Sequence, residues 1–315
     1  MKAIGIDIGG TKISVAAIDE SGSIRSQASF PTEPATGFGP AVERISNAVV
    51  ELTEKAGWRL DELNGIGIGC TGPVDPKRGT VHNPYTLPTW DDCNIVQSLE
   101  DHFKIPVRLE NDADSAALAE FRFGAGRDAN PLVMLTFGTG IGFSAIVDGN
   151  FLRGVDGSHP ELGHIPAVSD GPRCYCGIHG CFESMASGTA IEQAGRKIGL
   201  KTTREVFRAY KSEHRGARKI IDDALLAVEQ AAWSIAHSFL PKRILLGGGM
   251  MEDHYDLFAQ AMRKSLERTV LIKPNSIEIA STRLGNLAGV VGAASLVMQR
   301  LELQPNWMPK TVLFR

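Results

Sequence analysis

Apolar and polar positions alternate through the first thirty residues in three short runs, Ala3 to Ile6, Lys12 to Ile18 and Ile24 to Phe30. Between them lie Asp7-Ile8-Gly9-Gly10-Thr11-Lys12 and a turn containing Asp19-Glu20-Ser21-Gly22. Runs of this kind joined by turns of this composition predict consecutive antiparallel hairpins. The period then changes. Ala41, Val42, Ile45, Ala48, Val49 and Leu52 recur at helical spacing, and Gly57 ends that helix. A glycine-rich strand, Gly65-Ile66-Gly67-Ile68-Gly69-Cys70, leads into Thr71-Gly72-Pro73. A short helix follows over residues 94–103, then the strand Pro106 to Leu109, then a helix through the Ala-rich run Ser115 to Glu120, for which Asn111 or Asp112 is a good N-cap.

Further along, Leu132 to Phe137 and Phe143 to Val147 read as strands, Leu225 to Leu240 as a long apolar helix, and Arg243 to Leu246 as a strand feeding Gly247-Gly248-Gly249. Leu287 to Met298, rich in Gly and Ala, reads as a closely packed core helix. Residues 301–315, with Pro305 and Pro309, read as an irregular tail.

A chain of 315 residues exceeds the usual single-core size, so two lobes around a cleft are the expectation. With 43% hydrophobic and 22% charged residues it reads as an ordinary folded soluble protein. A net charge of -3 gives no electrostatic case for nucleic acid or for an anionic membrane surface. Met1-Lys2 runs straight into the first strand, with no secretory segment and no membrane span, which points to the cytoplasm. Five cysteines are too few for a disulfide scaffold.

Candidate chemistry gathers in the turns. Gly9 and Gly10 carry no side chain to block an anion from backbone N–H groups, and Thr11 adds a hydroxyl, which describes a phosphate loop as well as a plain hairpin turn. It is not of the Walker type. Residues 137–148, around Gly138-Thr139-Gly140, repeat the plan of residues 8–19 weakly, and two such units would clamp a polyphosphate from both sides. Gly67, Gly69 and Gly72 satisfy a dinucleotide fingerprint in form, but Pro73 stands where a helix must begin, so a loop passing close to a ligand is the better reading. The triple glycine at 247–249 would admit an adenine and ribose.

In the segment His82 to Trp90, Tyr85 and Trp90 are two aromatics that could stack on a ligand, although a surface loop is the plainer reading. Cys174, Cys176 and Cys181 can present three thiolates to one tetrahedral zinc, with His164 or His179 as the fourth ligand. An iron-sulfur cluster lacks its fourth cysteine.

Together these spaced motifs resemble the ROK family of sugar kinases, from Asp7 to about Met298. They are Asp7-x-Gly-Gly-Thr11, Asn111-Asp112, Phe137-Gly-Thr-Gly140, Glu161-x-Gly-His164, Cys174-x-Cys-Gly-x-x-Gly-Cys181-x-Glu183 and Leu246-Gly-Gly-Gly249. The resemblance implies an α/β, two-lobed actin/hexokinase-like (ribonuclease H-like) fold with a central cleft and a zinc-binding loop. It places residues 1–117 plus 293–315 in a small N-terminal lobe and 118–292 in a large C-terminal lobe.

It implies an ATP-dependent glucokinase with Asp112 as general base. The sugar contacts would come from Asn111, Asp112, Glu161, His164, Glu183 and Gly72. The ATP contacts would come from Gly9, Gly10, Thr11, Lys12, Gly138, Thr139, Gly248 and Gly249. Asp7 would hold Mg²⁺, and His164, Cys174, Cys176 and Cys181 a structural zinc. The partners implied are small molecules and further copies of the chain, as a dimer or tetramer. Many relatives carry Asn or Gln where this chain has Asp114, to which no role is assigned.

Alternatives remain within the resemblance: an N-acetylglucosamine or N-acetylmannosamine kinase, or a non-catalytic sugar-sensing regulator. A repressor of this kind would carry a DNA-binding segment ahead of the first strand, where Asp7 leaves no room. Glucose is favoured over N-acetylated hexosamines on the expectation that Tyr85 and Trp90 fill the recess an acetyl group needs.

Overall fold

The computed structural model describes residues 1–155, 157–273 and 275–298. Its first three strands, β1 (Lys2–Ile8), β2 (Lys12–Asp19) and β3 (Ile24–Pro31), form the expected antiparallel hairpins. Helix α1 (Phe38–Lys55) buries Ala41, Ile45, Ala48, Val49 and Leu52 against this sheet and returns the chain to β4 (Gly65–Cys70), which pairs parallel with β1.

A small sheet of β5 (Val74–Asp75), β6 (Thr80–Val81) and β7 (Cys93–Asn94) then leads to α2 (Ile95–Phe103), capped by the Asn94 side chain. Strand β8 (Val107–Asn111) adds parallel to β4, and α3 (Asp112–Phe123) starts directly from its end.

The second half repeats this plan. Strands β9 (Leu132–Phe137), β10 (Ile141–Val147) and β11 (Asn150–Phe151) form antiparallel hairpins. After α4 (Phe182–Ala186), α5 (Gly188–Arg196), α6 (Thr203–Lys211) and α7 (Arg215–Phe239), strand β12 (Arg243–Gly247) pairs parallel with β9. Helix α8 (Gly249–Leu266) then precedes β13 (Glu278–Ser281), parallel to β12. The sheet orders β3-β2-β1-β4-β8 and β11-β10-β9-β12-β13 match position by position and direction by direction. The faint repeat in the sequence is thus a repeat of architecture.

Helix α9 (Ala288–Met298) closes the chain over β1, β4 and α3. The approach is possible because the facing residues lack side chains. A Cβ on Gly5 or Gly67 would lie 1.9 or 1.7 Å from the carbonyl oxygens of Val290 and Ala293, and one on Gly292 would lie 1.6 Å from that of Ser115. Gly67 of β4 therefore serves helix packing, a role that the sequence reading did not assign to it. The tail read at 301–315 lies outside the described residues.

Two expectations change. Helix α7 starts ten residues before Leu225, where His214 caps it by accepting from the Ala217 N–H; only Ala217, Ile221 and Ala224 of its first turns are buried, too sparse a stripe to read in sequence. Trp90 is fully buried and meets Phe38 edge-on at 5.6 Å, so it is core and cannot stack on a ligand, whereas Tyr85 is exposed. Among the described residues no helix is long and apolar enough to cross a membrane.

Candidate active site

The carboxyl ends of parallel strands are where backbone stops and ligands can approach. Here β1, β4 and β8 end side by side, with Asp7 beside Gly69 and Gly69 beside Glu110 in register. The bare Gly69 lets the first turn of α3 pack close, since a Cβ there would lie 2.8 Å from Ser115 Oγ and 3.8 Å from Asp112 Cα. At the end of β8 the chain turns into α3, and the Asn111 side chain accepts from the Ala113 and Asp114 N–H groups at 2.8 and 3.4 Å. Asn111 is thus the cap the sequence suggested, a bond set worth about 1 kcal/mol. It also fixes Asp112 as the first helical residue. A Cβ on Gly72 would stand 2.9 Å from Asn111 Nδ2, so that glycine is what lets the loop after β4 pass the cap.

Burial pushes the Asp112 carboxyl up to about 7, and the charge of Asp7 adds to this; the Ala113 N–H and His159 pull the other way. Asp7 is itself raised by burial, with Lys12 opposing. Two carboxylates that mutually disfavour ionisation at a strand-end cleft suit a base and a cation-binding group. Asp7 lies against the start of α9, where a Cβ on Gly289 would be 2.5 Å from its Oδ2.

Each five-stranded sheet carries one glycine turn between its β1–β2 or β9–β10 pair. In the first, the Gly9 N–H donates to the Lys12 carbonyl at 2.9 Å, and Thr32 Oγ1 donates to the Gly9 carbonyl at 2.6 Å, while Thr11 and Lys12 stay exposed. In the second, the Gly138 and Thr139 carbonyls accept from the first N–H groups of α5, Gly188 and Thr189, which brace the turn. Gly248, at φ 89°, sits against Phe137 and starts α8 with no side-chain cap, so the first N–H groups of an 18-residue helix are open to an anion or a polar ligand.

Glu183 lies in the first turn of α4 and reaches back to the second glycine turn, accepting from the Ile141 N–H at 2.8 Å. His164 ends a short turn that begins at Glu161, and its Nε2 stands 4.0 Å from Glu183 Oε1. Its other nitrogen points elsewhere: Nδ1 is 3.6 Å from Cys174 Sγ and 3.7 Å from Cys181 Sγ. The ligand atoms of His164, Cys174, Cys176 and Cys181 all lie within 4.8 Å of one another. A tetrahedral zinc with ordinary bond lengths separates a thiolate from an imidazole nitrogen by roughly 3.6 Å, so the donor set fits that ion. His179 stands outside this group and turns to the Gly171 carbonyl at 3.3 Å. Burial pushes the Cys174 thiol up to about 12, so loading a metal here would release protons.

Residues 3–300 match the model of the ROK family. The chain belongs to the ROK family. A glucokinase of Thermotoga maritima is 31% identical over 96% of this chain and 98% of its own length. An N-acetylmannosamine kinase of Vibrio cholerae is 31% identical over 90% and 93%. Among solved structures, the ROK family glucokinase of Streptomyces griseus in complex with glucose and AMPPNP is 31% identical, covers 94% of this chain and 99% of its own, and superposes with a TM-score of 0.73. The paired sheets of this ROK chain are the actin/hexokinase-like fold.

Three side chains around the ROK motifs, Arg153, His159 and Tyr175, escaped the sequence reading. Arg153 approaches Glu110 at 2.9 Å and Asp114 at 2.7 Å, and His159 Nδ1 lies 2.8 Å from Asp114 Oδ2. Tyr175 places its hydroxyl 3.0 Å from His164 Nε2. No spacing rule links residues 114, 153 and 159. They become neighbours because α3 packs on β10 and the chain that follows the β10–β11 hairpin returns to the start of α3.

Proposed function

We propose that this ROK-family, ATP-dependent sugar kinase transfers the γ-phosphate of ATP to the 6-hydroxyl of glucose, with Asp112 as general base. The observation that carries the reading is the position of Asp112, held by the Asn111 cap at the open end of the parallel strands, with its carboxyl near 7. A base of that strength accepts a hydroxyl proton efficiently near neutral pH.

Asn111, Glu161, His164 and Glu183 orient the sugar hydroxyls, and Gly72 leaves room beside them. Asp112 takes the proton of the attacking hydroxyl as its oxygen bonds to the γ-phosphorus. The bond from that phosphorus to the bridging oxygen breaks, and ADP leaves with the electron pair. Gly9, Gly10, Thr11, Lys12, Gly138 and Thr139 hold the phosphates, and Gly248 and Gly249 the nucleoside. Asp7 would hold Mg²⁺, which would supply charge neutralisation on those phosphates. Zinc on His164, Cys174, Cys176 and Cys181 would be closed to water and would hold the Glu161 and Glu183 segments together.

We further read α3 and α9, which pack on each other, as the connection between lobes 1–117 plus 293–315 and 118–292. A dimer or tetramer, measurable by light scattering, is part of the same reading.

The glucose assignment is supported by the polar set at the sugar side and by the glucokinase relatives. An N-acetylated hexosamine is the second reading: the Vibrio relative favours it, and buried Trp90 cannot fill an acetyl recess. A sugar panel with coupled ADP detection separates them. We expect kcat/KM for glucose to exceed that for N-acetylglucosamine and N-acetylmannosamine by at least about tenfold. Equal or better use of either acetylated sugar would overturn glucose and leave the kinase standing.

A further inference from the structure

We propose that Asp114, His159 and Arg153 form a clamp that holds the loop carrying Glu161 against the first turn of α3, and so positions the sugar relative to Asp112. Arg153 leaves β11 with its guanidinium 4.8 Å over the Phe151 ring and pairs with both Glu110, on β8, and Asp114, on α3. His159 pairs with the same Asp114 oxygen. Both ends of the loop segment 153–159 are therefore tied to the residues that flank Asn111 and Asp112.

The tie reaches the sugar side through a stiff link. Pro160 follows His159, restricting both its own backbone and that of His159, and Glu161 comes next. Fixing the His159 ring thus fixes where Glu161 can reach.

Stability alone is a poor reason for this arrangement. Asp114 is fully buried, and its Oδ1 has no hydrogen-bond partner among the described residues. A buried carboxylate paired with a guanidinium and an imidazole is commonly no more stable than neutral residues of the same shape. What the cluster supplies is a unique distance between two segments that must meet the same small molecule. These three residues act through Asp112 and Glu161, so they are positioning residues.

The clamp matters to catalysis only if Asn111, Asp112 and Glu161 form the sugar site, the reading proposed above. The test uses full-length Asp114→Asn, His159→Asn and the double variant, with Asp112→Asn as control, and measures KM for glucose, KM for ATP and kcat. Each clamp variant should lower kcat/KM for the sugar by about tenfold or more, mainly through the sugar KM, with the ATP KM within about twofold of wild type. The double variant should be no worse than the more damaged single one, because both break one linkage.

An inactive Asp112→Asn control beside clamp variants with a wild-type sugar KM would overturn the clamp and leave the base assignment intact. Sugar and ATP KM rising together would also overturn it, since that is the mark of a merely structural role. A control that keeps its turnover would remove the site reading underneath. Should Asp114→Asn fail to fold, the half-buried His159→Asn decides alone.

Discussion

Replacing Asp112 by Asn should stabilise the ligand-free protein, and by an amount that depends on pH. Burial, reinforced by Asp7, moves this carboxyl from 3.8 to about 7 in the fold. A carboxyl raised on folding binds its proton more tightly in the native state, so native stability falls as pH rises from the unfolded pKa to the folded one. At 1.36 kcal/mol per pKa unit, the charge costs on the order of 4 kcal/mol above pH 7 and less than about 2 kcal/mol at pH 5.

Asn keeps the shape and the acceptor oxygen toward the Ala113 N–H but has no charge to bury. The melting temperature of Asp112→Asn should therefore exceed that of wild type by several degrees at pH 8, taking roughly 2 °C per kcal/mol for a chain of this size. The gap should shrink by more than half at pH 5. Differential scanning calorimetry of both proteins without nucleotide or sugar, at matched ionic strength, reads this directly. A gap that is flat with pH, or a variant less stable than wild type at pH 8, would show that Asp112 is not a destabilised buried carboxylate.

Cys176→Ala should lose zinc and weaken sugar binding together, because the segment that leads into α4 and Glu183 is no longer pinned to His164; elemental analysis and glucose titration check both, and a wild-type protein purified without chelators that holds no zinc would refute it. Gly292→Ala should cost at least about 1–3 kcal/mol in chemical denaturation, since its methyl would meet the Ser115 carbonyl at 1.6 Å and force α3 and α9 apart. An unchanged midpoint would contradict the close helix packing.

Much of this structure was legible because the chain signals locally. Alternation and Gly-rich turns marked β1 to β3, Asn111 announced the α3 start, and the Cys174 to Cys181 spacing announced a cluster of thiols around His164 that could hold a metal ion. What stayed hidden was set by tertiary contact. Nothing near Gly5 or Gly67 in the sequence shows that α9, more than two hundred residues later, is laid across them. Trp90 sits among Pro and Asn in a stretch with every sign of an exposed loop, yet its ring fills the core under Phe38. The pairs from Arg153 and His159 to Asp114 span 39 and 45 positions and follow no periodicity, so only the fold reveals them.

The central claim is that Asp112 removes the proton from the attacking sugar hydroxyl. It is tested most directly by ADP release from ATP and glucose with folded Asp112→Asn beside wild type. An amide at that position cannot accept the proton, so kcat should fall by about 10²-fold or more. Near-normal turnover by the folded variant would contradict the assignment.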